Sequence, residues 1–329
     1  MTIPIIILSF FTTLLLTPLV KKSLLRRNLL DTPNERSSHT TPVPRGGGWA
    51  ILFTLIPTLV WMALIKNEST ESWLLAGLAA LAGVSWYDDK HGLSAKTRLY
   101  THLFAALFGT LALPEHATLF NNTLPFFLDR TVMILGWAWF MNLYNFMDGI
   151  DGITGAETVA IATGTCTILS ATGITDPFVS TLTLILTGSS LGFLAYNWHP
   201  AKIFLGDIGS VPLGYLTGFC LLFLVAKGQL APALILPLYY LADSGITITR
   251  RALRGEKIWQ AHRQHFYQKA AQNLGHDKTV LRITIANIAL ILTALLAIPH
   301  PAAGLILATL IVALLLRNMH ISAHVQPTP

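Results

Sequence analysis

The chain has 329 residues, of which 53% are hydrophobic and 12% charged, and its net charge is +6. The charged fraction is about half that of an average soluble domain. Apolar runs of roughly 15 to 20 residues recur from end to end, more than one soluble core of this length buries. The positive balance follows from basic loops on one side of a membrane, so no nucleic-acid partner is expected. Cys166 and Cys220 both fall in apolar segments, which suggests neither a disulfide framework nor a thiolate metal site.

In chain order, about eleven helices are predicted. They lie near 3–20, 48–65, 73–86, 99–114, 130–144, 156–172, 178–196, 211–226, 230–249, 280–298 and 303–317. The expected fold class is all-α: a polytopic integral membrane helix bundle of about 11 transmembrane helices, with one domain over residues 1–329. No basic stretch precedes the first apolar run, and Lys21 and Lys22 follow it. That order favours a retained first span with its N-terminus outside. The loops at 21–47, 87–98, 145–155, 197–210 and 250–279, and the tail after 317, then face the cytoplasm. With Arg282 and Arg317 at span ends, they hold all but Lys66, Arg130 and Lys227 of the 22 Lys and Arg residues. The C-terminus is accordingly cytoplasmic, and every unusual polar motif falls on the same side.

The first of these loops carries Asp31-Thr32-Pro33, Arg36-Ser37-Ser38-His39 and the turn Arg45-Gly46-Gly47-Gly48. Glycine-rich backbone can cradle phosphate, but a plain turn before the second span explains it equally well. No Walker signature is present, so ATP hydrolysis is not supported. Asp88 and Asp89 end the third span. Carboxylates at membrane depth are costly and sit at the unfavourable end of a helix, so they need a cation or a basic side chain. Lys90 beside them offers the bland explanation.

Residues Asn142, Asn145, Asp148 and Asp151 follow one another at intervals of three, with Gly149 and Gly152 between and after them. Oxygen ligands on irregular backbone suit a hard cation such as magnesium. A helix cap accounts for Asp151 but not for the other three. Asp207 stands between Gly206 and Ile208-Gly209, open to a phosphate-bound metal or serving as a cap. His262-Arg263-Gln264-His265 lies in a basic loop with Arg250, Arg251, Arg254 and Lys257, where arginine forks and histidines fit phosphate contacts. Its two histidines lack a third soft ligand, which argues against zinc there. Asp243 and Asn287 are polar residues inside spans, and Asp243 either faces the bundle interior or pairs with Arg250 or another base.

Carboxylates, amide oxygens and a basic loop at a membrane interface point to phosphoryl transfer onto a lipid. A transporter or a noncatalytic assembly subunit stays open on these grounds alone. The stretches Asp31–Gly48, Asp88–Arg98, Asn142–Gly152, Phe204–Ser210 and His262–His265 together resemble the polyprenyl-phosphate N-acetylhexosamine-1-phosphate transferases, glycosyltransferase family 4. They look closest to the bacterial branch that starts O-antigen and related surface polysaccharides.

The resemblance implies transfer of a sugar 1-phosphate from a UDP-N-acetylhexosamine, a 6-deoxy form included, to undecaprenyl phosphate at the cytoplasmic face of the inner membrane. UMP is the second product. It implies Mg2+, or Mn2+ in its place, with Asn145 and Asp207 as metal residues. Asp88, Asp89, Asp148, Asp151 and His262 take catalytic places by this likeness. Asn142, Arg98, Lys96, Arg263, His265 and Arg45 take substrate-binding ones. Arg98 stands at the place of the family's phosphate-contacting lysine after the paired aspartates, with Lys96 as the competing choice. The histidine run is sparser than in the peptidoglycan-precursor branch, which favours a simple UDP-sugar. The oligomeric state is left open, a homodimer included.

Overall fold

A computed structural model describes residues 2–33, 41–66, 69–120, 123–257 and 262–323. Arg36, Ser37, Ser38 and His39 lie outside the described residues. The chain is an all-α, multi-pass bundle. Helices α1 (Thr2–Arg26), α2 (Gly48–Lys66), α3 (Ser69–His91) and α4 (Ala95–Thr110) are followed by α5 (Phe126–Phe146), α6 (Ile153–Thr172) and α7 (Pro177–Asn197). Then come α8 (Asp207–Ala226), α9 (Leu230–Ile235), α10 (Leu238–Leu253), α11 (Phe266–Leu274), α12 (His276–Ala297) and α13 (Pro301–Ser322). Among the described residues, five of them, α1, α7, α8, α12 and α13, are long and apolar enough to cross a membrane.

Local chemistry sets the helix ends. The Ser94 hydroxyl accepts from the Thr97 N–H to start α4, and the Asp176 carboxylate accepts from the Val179 N–H to start α7, with Pro177 in its first turn. Gly173, at φ 68°, ends α6 in the left-handed region that glycine adopts without penalty. Small residues let helices close up: a side-chain carbon at Gly188 would strike Ser9 and the Ile6 carbonyl, and one at Gly192 the Phe10 carbonyl. Those contacts press α7 against α1.

Helix α8 is the axis of the fold. It packs on α2, α3, α4, α5, α6 and α9, and nearly all its residues are buried. The outer helices turn leucines outward, Leu8, Leu15 and Leu19 on α1 and Leu310 and Leu314 on α13, as lipid-facing surfaces require.

Three features depart from the predicted elements. The segment read as one helix over 230–249 is broken at Leu236-Pro237 into α9 and α10, because proline lacks the N–H that would continue the ladder. The loop read over 250–279 contains α11, a short amphipathic helix whose start at His265 is closed by its N–H donating to Gln268 Oε1 at 3.3 Å. A two-residue antiparallel pair, β1 (Leu30–Asp31) with β2 (Val43–Pro44), ties down the α1–α2 connection, and Arg45 bridges in parallel to Phe204.

Candidate active site at the N-terminus of α8

Residues from α3, α5, α8 and the loop before α2 converge at the start of α8. Gly206, at φ 73°, turns the chain into the helix and offers no side chain to cap it. The cap comes from α3. Asp89 Oδ1 accepts the Asp207 N–H and Oδ2 the Ile208 N–H, both at 3.0 Å. The carboxylates that sit unfavourably at the end of α3 are thus placed against the positive end of α8. Arg45 completes the balance: its Nε lies 2.9 Å from Asp89 Oδ1 and its second terminal nitrogen 2.6 Å from Asp207 Oδ1. Burial alone would lower the Arg45 pKa, but Asp207 and Asp89 outweigh it and hold it above the ordinary value.

The glycine turn is what brings Arg45 there. The N–H groups of Gly46 and Gly47 donate to the Phe204 carbonyl, at 3.2 and 2.8 Å, and Gly48 N–H donates to Leu205 at 2.9 Å. These donors are engaged within the fold and make no phosphate cradle. Gly48 meets Gly209 backbone to backbone, an approach that any side chain would block.

Asn145, in the last turn of α5, donates through Nδ2 to Asp207 Oδ1 at 3.0 Å and to Ser210 Oγ at 2.8 Å. Asn142 lies one turn earlier on the same helix. Asp88 makes different contacts from Asp89. Its Oδ1 accepts the Leu93 N–H at 2.6 Å, and its Oδ2 lies 3.6 Å from Arg98 Nε. Asp88, Arg98 and Asp207 line a small cleft with Ser85 and His102, whose buried Nδ1 has no hydrogen-bond partner among the described residues. Lys96 stands exposed two residues before Arg98, about half a helical turn away, and is not among the residues lining this cleft.

Asp148 follows α5, held by a hydrogen bond to Thr154. Burial of its carboxyl, with Asp207 adding to the effect, raises its pKa to about 7. Asp151, three residues on, joins a different group. Its Oδ2 lies 2.6 Å from His199 Nδ1 and 3.3 Å from His276 Nδ1, and accepts the Ala201 N–H at 3.1 Å. Burial pushes the Asp151 pKa up, but the hydrogen bonds from His276 and His199 outweigh it and hold it below the usual carboxylate range.

The His262–His265 loop is anchored by Asp243. Asp243 Oδ1 accepts from His265 Nδ1 at 3.1 Å and from the Phe266 N–H at 3.0 Å, while Oδ2 accepts the Tyr267 N–H at 3.1 Å. Asp243 is fully buried and its basic partner is His265, the residue that caps α11, rather than Arg250. Tyr267 in turn donates its hydroxyl to the Phe146 carbonyl at 3.2 Å, which ties this loop to the turn holding Asp148. His262 stacks on His265 with ring centroids 4.9 Å apart. Burial, then His265 and Arg251, lower the His262 pKa to about 4, so it is neutral near pH 7. Arg263 lies between these two histidines in the same loop.

Sequence reasoning did not single out Ser210, His102, His199 or His276 as site residues. Ser210 stood inside a recognised motif, whereas the other three carry no local signal. The geometry joins Arg45, Asp88, Asp89, Arg98, Asn145 and Asp207 in one polar centre at helix ends.

Fold and centre together define a multi-pass helix bundle with a carboxylate-rich polar centre at its helix ends. Residues 72–225 match the family model described as Glycosyl transferase family 4. The chain is 29% identical, over 97% of its length and 90% of the relative's, to a probable undecaprenyl-phosphate N-acetylglucosaminyl 1-phosphate transferase of Bacillus subtilis. It is 32% identical to the phospho-N-acetylmuramoyl-pentapeptide-transferase of Oceanobacillus iheyensis, over 64% of this chain and 71% of that one. The enzyme of the same description from Chlamydia pneumoniae is 29% identical over 74% and 77%. The chain belongs to glycosyl transferase family 4, the polyprenyl-phosphate sugar-1-phosphate transferases.

Proposed function

We propose that the protein transfers N-acetylhexosamine 1-phosphate from a UDP-sugar to undecaprenyl phosphate, releasing UMP and starting an O-antigen or related surface polysaccharide. The observation that carries this reading is the convergence of Asp88, Asp89, Asp207 and Asn145 with Arg45 and Arg98 at the first turn of α8. Three carboxylates against two guanidinium groups leave a net negative centre made of oxygen donors, which fits a hard cation. Asp207 and Asn145 would hold Mg2+, or Mn2+ in its place, with the Asn145 amide turned to present its oxygen. When bound, the ion offsets the repulsion between two phosphate-bearing substrates.

The chain's own residues then divide the work. Arg98 and Asp88, facing each other at 3.6 Å, receive the lipid phosphate: Arg98 binds its oxygens, and Asp88 orients it or takes its proton. The lipid phosphate oxygen attacks the β-phosphorus of the donor, and the bond to the UMP oxygen breaks. Neutral His262 donates a hydrogen bond and Arg263 a fork to the donor diphosphate, on a loop fixed by Asp243 through His265. Asp148 sits on the turn between this loop and Asn145, in the nucleotide pocket. Asp151 has no place in this scheme, since its carboxylate is held by two imidazoles. The charge bias of the loops supports a cytoplasmic centre, about eleven crossings and an inner-membrane location.

The test is UMP release by purified full-length protein with Mg2+, undecaprenyl phosphate and a panel of UDP-sugars. Turnover is expected with a UDP-N-acetylhexosamine, and no release with any donor overturns the reading. Normal turnover by Asp207→Ala would overturn the metal assignment alone.

A further inference from the structure

Asp151, His199 and His276 come from three separate connections: the turn before α6, the residues just after α7, and the first turn of α12. One ligand-capable atom of each lies within 4.8 Å of the other two. None of the three takes part in the centre at α8. Their contacts make conflicting demands on one atom. The Asp151 N–H points at His276 Nδ1 at 3.3 Å, which requires a lone pair on that nitrogen. Asp151 Oδ2 also lies 3.3 Å from the same nitrogen, which requires a proton on it. With the lone pair in place, a bare nitrogen faces a carboxylate oxygen, and a cation between them turns that repulsion into attraction.

We propose that Asp151, His199 and His276 form a metal site for a borderline divalent ion of the zinc class, separate from the transferase centre. Two imidazoles and one carboxylate are a ligand set for zinc, cobalt or manganese, and a poor one for magnesium, which takes oxygen donors. Bonds of roughly 2.0–2.1 Å in a tetrahedron set ligand atoms roughly 3.3 Å apart. The Asp151–His276 pair is already at 3.3 Å, and the Asp151–His199 pair, at 2.6 Å, has to open by about 0.7 Å. His199 has room to move, since its side chain is 41% exposed, and that exposure also supplies the entry path and a fourth position for water. Asp151 and His276 are buried and fixed. The rings of His199 and His276 lie at 54° with centroids 4.9 Å apart, so they are not stacked face to face. The bound ion clasps the turn before α6 to the start of α12 and so braces the strip that carries Asp148.

The experiment uses chelator-treated full-length protein titrated with Co2+, reading the strong visible absorption of four-coordinate cobalt. Six-coordinate oxygen sites give this only weakly. One equivalent is expected to bind with that absorption, to be displaced by Zn2+, and to persist in excess Mg2+. Exposed His199→Ala should lose it while keeping its fold, His276→Gln should lose it independently, and Asp207→Asn should retain it. The last result separates this site from the proposed transferase centre. Absence of the absorption in the wild type, or equal absorption in the wild type and the His199→Ala, His276→Gln double variant, overturns the proposal and leaves a purely hydrogen-bonded His–Asp–His cluster.

Discussion

Asp88 and Asp89 are neighbours in the chain, yet the geometry gives them different partners, and substitution should separate them. In Asp89→Ala, α8 loses both acceptors for its first two N–H groups. Each is worth about 1 kcal/mol as an N-terminal cap. The lost pairing with Arg45 adds at most about 1 kcal/mol, because the Arg45 side chain is 39% exposed. The total is about 2–3 kcal/mol. Asp89→Asn keeps one acceptor and should lose about half of that. Asp88→Asn removes a charge facing Arg98 but leaves an oxygen for the Leu93 N–H, so its stability should fall by less than about 1 kcal/mol. Thermal unfolding in detergent, followed by helix content, reads the stability, and UMP release reads the chemistry. The expected pattern is a lowered melting temperature for both Asp89 variants. Asp88→Asn should instead show near-normal melting with turnover down at least about 100-fold, the lower end for a lost proton-transfer group. Equal melting of Asp89→Ala and wild type would refute the cap. Normal turnover by Asp88→Asn would refute the division of duties.

Gly48→Ala should destabilise the fold by about 3 kcal/mol, since its methyl group would fall on the Gly209 backbone; the melting temperature and the yield of monodisperse protein check this. Asp243→Asn should leave His265, Phe266 and Tyr267 short of acceptors, and raise the KM for the UDP-sugar more than it lowers kcat, read from initial rates. Asp148 has a folded pKa of about 7 against an ordinary 3.8, so its stabilising contribution is complete below pH 3.8 and is lost as pH rises towards and through 7. Asp148→Asn should therefore melt higher than wild type at pH 8, by up to about 4 kcal/mol in stability, and show no such gain near pH 4; melting curves at the two pH values decide it.

Hydropathy located the long helices because a lipid-facing or buried helix must be apolar over its whole length, as α1, α8, α12 and α13 are. It missed α11, whose nine residues mix Tyr267 and Ala270 on a buried side with Lys269 and Gln272 elsewhere, too short for a composition signal. The break at Pro237 was legible in principle, but the apolar run on either side concealed it. Within the site, the motif around Asp207 and the three-residue spacing from Asn142 pointed to the start of α8 and the end of α5, which the structure brings together. What spacing does not encode is partnership. Asp88 and Asp89 differ only because α3 meets α8 at a particular rotation. His199 and His276 reach Asp151 across 48 and 125 residues, separations over which no periodicity operates.

The cap on α8 comes from a residue 118 positions earlier, and Arg45 reaches Asp207 across 162. During synthesis, the first seven helices therefore precede the partner that compensates Asp89, and until α8 is made that carboxylate lacks the N–H groups it caps. An early-terminated product ending before Phe204 would carry most of the recognisable motifs and still be inert. Conversely, two separately expressed pieces cut after α7 should recover activity only when they are inserted side by side, so the timing of translation governs when this catalyst first comes into being.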